Sequence, residues 1–365
     1  MIRIERLTDL FLRLASISSP TGGEREMADI LTQELIALGF LVEEDNTNIE
    51  ENGAGNLFAQ LPGHGDPILF CCHMDTVEPC RDKQIIIENG VIRSAGETIL
   101  GSDDLAGIVE ILEAVSSLAE DNADHRPLEI LFTHGEELFL RGARSFDFSK
   151  ITARECFVPD VDGTIGTAIL RAPTGMQILV DINGVSAHAG LRPEDGVNAI
   201  CIASKAISSL DWGRIDSETT SNVGVIRGGV QGNIVPDDCF VEIELRSLSH
   251  KKAAELAVKI RDNFQSAAKE LGGTVNITIN QPLTAYTIDE DAPISLRFAK
   301  ACRLHGIEPR FTSSCGGSDN AIINLNGIRG IVIAPGMHDI HSVNEWTTVE
   351  ELYQMSSIIE ELMKN

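Results

Sequence analysis

Three short clusters stand at the ends of apolar runs: His73-Met74-Asp75 after Ile68 to Cys72, Ser102-Asp103-Asp104 opening an apolar-periodic stretch, and Glu136-Glu137 after Leu128 to Thr133. Imidazoles and carboxylates brought to strand ends are the ligands that a hydrolytic pair of divalent ions requires. A carboxylate left free of metal can take a proton from the attacking water. His341, in Gly336-Met337-His338-Asp339-Ile340-His341-Ser342, follows the last apolar run. Each cluster alone has an ordinary account, as a locally bonded histidine or as solvated acids. Together they make metal-dependent hydrolysis the leading expectation.

The spacings set conditions that a structure can meet or fail. His73 and Asp75 share a face if their strand continues, and the acid can then orient the ring from behind. Asp103 and Asp104 follow Gly101 at a helix start, where the backbone dipole alone favours one carboxylate. The other acid is then available to bridge two cations. Glu136 and Glu137 serve one site only if the chain has left its strand, which Gly135 permits, and such a pair supplies one ligand and one base. Asp160 and Asp162 flank Val161, and either completes a second ion's shell; His338 competes with His341.

The elements that must position these residues are legible in the hydrophobic pattern. Ile4, Leu7, Leu10, Phe11 and Leu14 recur at helical spacing, a second helix covers roughly 24–38, and Leu105, Ile108, Val109, Leu112 and Val115 mark the helix after Asp104. Ile68 to Cys72, Leu128 to Thr133 and Gly330 to Ala334 read as buried parallel strands, and Thr348 with Glu351 reads as the capping box of a C-terminal helix. The middle third alternates at Gln177 to Ile182, carries a helical stripe from Val197 to Leu210, alternates again at Asp238 to Leu245, and continues with a helix from His250 to Leu271 and a strand at Thr274 to Ile279. The expected fold is α/β: an open, mostly parallel sheet flanked by helices over residues 1–176 and 287–365, with an inserted α+β domain over 177–286.

The chain has 365 residues and a formal net charge of -26, which argues against nucleic acid and anionic membranes as partners. Arg3, Glu5, Arg6, Asp9 and Arg13 break any signal-peptide core, and no stretch is long enough to span a bilayer. Eight cysteines without CxxC spacing suit reduced, buried thiols in the cytoplasm.

In order and spacing, His73-Met74-Asp75-Thr76-Val77, Gly101-Ser102-Asp103-Asp104-Leu105-Ala106-Gly107, Glu136-Glu137 with Gly142-Ala143, and His341-Ser342 with Glu345 resemble the metal-site motifs of one family. It is the co-catalytic di-zinc metallopeptidase family that includes peptidase T, carboxypeptidase G and aminoacylase. The inserted block resembles it as well, through Gly184 to Gly190, Asn233 to Asp237 and Arg246-Ser247, and so does the Gly316-Gly317-Ser318-Asp319 turn, a substrate-side loop there. The Asp-Asp-x-Ala-Gly and Phe-Val-x-Asp patterns are most similar to the peptidase T-like branch.

The resemblance implies two divalent ions, zinc before cobalt or manganese. His73, Asp103 and Asp160 would hold one, and Asp103, Glu137 and His341 the other, with Asp103 bridging and Asp160 preferred to Asp162. Asp75 would orient His73, Glu136 would be the general base for a metal-bridged hydroxide, His188 would stabilise the oxyanion, and Asn233 and Arg246 would bind substrate ends. It further implies an aminopeptidase of short peptides, a tripeptidase, with a lid that makes a homodimer. Alternatives are a deacylase of N-acyl amino acids or a carboxypeptidase of the same family and, from another class, a non-catalytic metal- or peptide-binding protein. Leu105, Phe139 and Pro159 depart from the branch's usual residues and bear on substrate choice.

Overall fold

A computed structural model describes residues 1–47 and 52–364; residues 48–51 and 365 of the expected catalytic domain lie outside them. The chain forms two compact units, Met1–Leu170 with Thr287–Ser313 and Ser318–Asn365, and Arg171–Tyr286 with Ser314–Gly317.

In the first unit the central strands are, side by side, Leu128–Thr133, Ile68–His73, Glu155–Val158 and Arg329–Ile333, all mutually parallel. Antiparallel strands extend both sides: Leu57–Leu61 and Leu41–Glu44 beyond the first, Thr167–Ala172 beyond the last. The Ile68–His73 strand is buried throughout, because helices cover both sheet faces. Its alternate residues divide between two cores. Ile68, Phe70 and Cys72 face the helices Ile4–Ala15, Ser102–Asp121 and Val349–Met363, whereas Leu69 and Cys71 face Phe146, Ile151 and Ile323. The Ser102–Asp121 helix lies close against the sheet at Gly107, where a Cβ would stand 2.8 Å from Pro159 Cβ and 2.9 Å from Cys72 Sγ. The Thr348 side chain accepts the Glu351 N–H and starts the last helix, as its sequence pattern requires.

The second unit is an antiparallel sheet with Thr219–Gly228, Asp238–Ser247, Thr174–Asn183 and Thr274–Leu283 as its long strands, in that order. Alternate residues of the two middle strands, Ile178, Val180 and Ile182 with Val241, Ile243 and Leu245, are buried with the helices Ala199–Ser208 and His250–Leu271. The Thr219–Gly228 strand is absent from the sequence reading. Its Ser221, Asn222, Gly224 and Gly228 blur the alternation, and its register shifts between Val223 and Val225. Among the described residues no helix is long and apolar enough to cross a membrane. All eight cysteines are free thiols, but Cys201 and Cys315 are exposed rather than buried.

Candidate metal centre

The four central strands end at one edge of the sheet, and each delivers a site residue there, as open parallel sheets do. His73 is the last residue of its strand. Because the strand stops there, strand alternation does not set how Asp75 meets it. The His73 Nδ1 instead lies 2.8 Å from the Asp75 main-chain oxygen and 3.5 Å from the carboxylate. That carboxylate faces the next loop: it accepts N–H bonds from Glu136 at 2.9 Å and Glu137 at 3.3 Å, and the Thr21 hydroxyl at 2.7 Å. The Glu pair lies beyond its strand, past the turn at Gly135, where φ is +59°.

Asp103 stands between two histidines. Its Oδ1 is 3.0 Å from His73 Nε2, its Oδ2 is 3.1 Å from His341 Nε2, and Glu137 Oε1 is 2.8 Å from the same His341 nitrogen. Asp160 Oδ1 lies 3.9 Å from His73 Nε2, whereas Asp162 is exposed. His338 is engaged elsewhere, 2.7 Å from Glu351 and stacked on Trp346. Asp103 and Asp104 have non-helical φ/ψ, so the regular helix begins only after the pair. Each of the two side chains has an oxygen in a candidate ligand group.

Donor atoms of His73, Asp104 and Asp160 converge within 4.8 Å of one another, as do those of His73, Asp103 and Glu137. Asp104 was not assigned from the sequence, yet its buried Oδ1 has no hydrogen-bond partner. Asp319 is a second unassigned acid. One oxygen accepts the Thr133 hydroxyl at 2.5 Å and the other, also buried, has no partner. Only its place in the Gly-Gly-Ser-Asp turn marked it in the sequence.

The electrostatics of the cluster call for cations. Burial, then the charges of neighbouring acids, pushes the Glu136, Asp104 and Asp160 carboxyls well above their usual range. Asp319 is pushed to about 6, chiefly by burial. Burial also opposes ionisation of Asp103, but hydrogen bonds from His341 and His73 outweigh it and hold this acid well below the usual range. At His341 hydrogen bonds to Asp103 and Glu137 raise the ring to about 10. Oxygen and imidazole donors with unpartnered buried oxygens fit a pair of borderline divalent ions.

Beside Glu137 and Leu138 lies a cleft of about 560 Å³, bounded also by Pro20, Thr21, Val77 and Arg81. In the second unit, His188 pairs with Ile234 across two short antiparallel strands, and the Ala189 N–H donates to the Asn233 carbonyl at 2.9 Å. Arg246 is partly committed: its guanidinium bonds Glu244 at 2.6 Å and the Cys315 carbonyl at 2.6 Å.

Residues 175–272 match the family model described as a peptidase dimerisation domain, and residues 56–158 match that of peptidase family M28. The Bacillus subtilis protein YqjE is 39% identical over 100% of both chains. The crystal structure of the Bacillus cereus aminopeptidase PepT superposes with a TM-score of 0.95 at 38% identity, covering 99% of this chain and 98% of that one. A Staphylococcus aureus tripeptidase gives the same TM-score at 34% identity over 100% and 98%. With such identity along its whole length, and with acids and imidazoles gathered where a dinuclear centre needs them, the chain belongs to the M20 metallopeptidase family, on its peptidase T side.

Proposed function

We propose that this protein is a metal-dependent aminopeptidase that releases the N-terminal residue of short peptides, tripeptides foremost. One observation carries the reading: the two oxygens of Asp103 face His73 and His341 separately, and each histidine has a second carboxylate beside it, Asp160 or Glu137. His73, Asp103 and Asp160 would hold one divalent ion and Asp103, Glu137 and His341 the other. Asp104 stands close enough to His73 and Asp160 to support the first. We assign zinc, with cobalt or manganese able to substitute.

Bound there, the ions supply Lewis acidity toward the amide carbonyl and acidify the attacking water. The residues do the rest. Glu136, whose carboxyl is pushed up by burial, takes the water's proton on its side chain and returns it to the leaving amine. The Asp75 bonds to the Glu136 and Glu137 N–H groups fix the loop that carries base and ligand. The cleft beside Glu137, at about 560 Å³, has room for a short peptide. Oxyanion stabilisation by His188 and substrate-end binding by Asn233 and Arg246 rest on their motifs. The dimerisation-domain match supports a homodimer, and the free thiols support a cytoplasmic setting.

The test is N-terminal residue release from free and N-blocked di- and tripeptides, before and after chelation and with metal restored. Turnover of free tripeptides that disappears with chelator and returns with metal is expected. Cleavage of blocked substrates alone would make the enzyme a deacylase, and silence throughout would leave a binding protein.

A further inference from the structure

Glu345 is buried and lies four residues beyond His341, and no catalytic or ligand role has so far fallen to it. Its carboxylate accepts three hydrogen bonds from three consecutive residues: the Gly101 N–H at 2.7 Å on Oε2, and the Ser102 hydroxyl at 2.7 Å and Asp103 N–H at 3.0 Å on Oε1. This is not ordinary helix capping. Asp103 and Asp104 have non-helical dihedrals, so the bonded groups lie in the lead-in to the helix and include the amide of the bridging acid itself. The lead-in is also crowded at Gly101. A Cβ on Gly101, at φ +80°, would meet Lys83 Nζ at 3.0 Å and Thr76 Cγ2 at 3.3 Å.

We propose that Glu345 is a positioning residue for the metal centre, coupling the His341 loop to the bridging Asp103. With the Asp103 main chain held, only its side-chain torsions remain, and the carboxylate must meet His73 on one oxygen and His341 on the other. The Glu345 N–H closes a turn on the Ser342 carbonyl at 3.2 Å, so one residue registers two ligand loops against each other. The inference rests on the dinuclear reading above and concerns only how ligands are held.

Gln at this position keeps the volume but replaces one acceptor oxygen with NH2. In either amide orientation that NH2 faces a main-chain N–H, of Gly101 or of Asp103. The full-length protein, Glu345→Gln and Ser102→Ala are stripped with chelator and titrated with Co2+. Bound metal is counted by equilibrium dialysis, and the visible cobalt bands are recorded at saturation. Glu345→Gln is expected to bind about 10–100-fold more weakly, the usual effect of losing a group that orients a ligand, and to show altered cobalt bands at saturation. Ser102→Ala, which removes one of the three bonds, should move affinity in the same direction by less.

A folded Glu345→Gln protein with parental affinity and bands overturns the inference while leaving the dinuclear reading intact. A parent that binds no cobalt overturns both. If Glu345→Gln does not fold, Ser102→Ala decides: weakened binding supports the inference and parental binding overturns it.

Discussion

Asp75 holds Glu136 by its main chain: the Asp75 Oδ1 accepts the Glu136 N–H at 2.9 Å, from a residue 61 positions away in sequence. A strand-end acid therefore sets the loop of the proposed base while also meeting His73 Nδ1, through its main-chain carbonyl at 2.8 Å and its carboxylate at 3.5 Å. Asp75→Asn puts an amide NH2 against one of the N–H groups it now accepts. The expected result is a fall in kcat of at least tenfold with KM for a tripeptide within about twofold, and a stability loss of about 1–3 kcal/mol in urea, the usual cost of an orphaned buried donor. Parental kcat would refute the positioning role.

Base and ligand should separate cleanly in adjacent residues. Glu136→Gln is expected to retain the full metal complement by elemental analysis while kcat drops about 10²–10⁴-fold, the usual range for loss of a general base. His341→Ala is expected to lose metal occupancy first and activity with it. A fully active Glu136→Gln protein would sink the assignment.

Metal uptake should expel protons. In chelated protein the His341 ring, raised to about 10 by Asp103 and Glu137, is protonated at pH 8. A ligand imidazole must be neutral, so binding at pH 8 releases that proton. Titrations in buffers of differing ionisation enthalpy should reveal the release, and His341→Ala should reduce it. The linkage has a definite sign. A raised histidine stabilises the metal-free fold fully below its unfolded pKa, near 6.5, and the contribution disappears as pH rises through about 10. Thermal melts of chelated protein should show stability falling over that window, and an unchanged midpoint would contradict it.

Away from the site, Glu129 is a buried acid with its acceptors filled. It takes the Thr152 and Ala153 N–H groups, the Thr152 hydroxyl and the Gln60 amide. Glu129→Leu strands those main-chain donors, costing about 1–3 kcal/mol for each. Urea unfolding should register the loss while metal stoichiometry stays parental.

The sequence was informative wherever one physical cause dominated. Ile68 to Cys72 is apolar throughout because both sheet faces are covered, and the His250–Leu271 helix is bounded by Ser249 and Gly272, its end caps. The order of the metal motifs placed His73, Asp103, Glu137 and His341 in one set, and the structure gathers them. What escaped depended on tertiary context. Nothing in the spacing of Asp75 reveals that its strand stops two residues earlier and turns its carboxylate toward Glu136. Asp319 acquires its place from the Thr133 hydroxyl, 186 positions away. The Thr219–Gly228 strand interrupts its Thr, Val and Ile residues with Ser221, Asn222, Gly224 and Gly228, and pairing with Asp238–Ser247 overrides the interruption.

The strand that precedes His341, Arg329–Ile333, lies inside the parallel sheet beside Glu155–Val158, while His73 comes from a strand near the other end of the polypeptide. During synthesis the ribosome therefore delivers His73, Asp103, Glu137 and Asp160 long before their last companion. Until that strand docks, the partial set lacks the imidazole that faces Asp103 Oδ2 and Glu137. On the proposed ligand set, a chain truncated before that strand would lack the second histidine, and peptide cleavage would have to await the last part of the polypeptide.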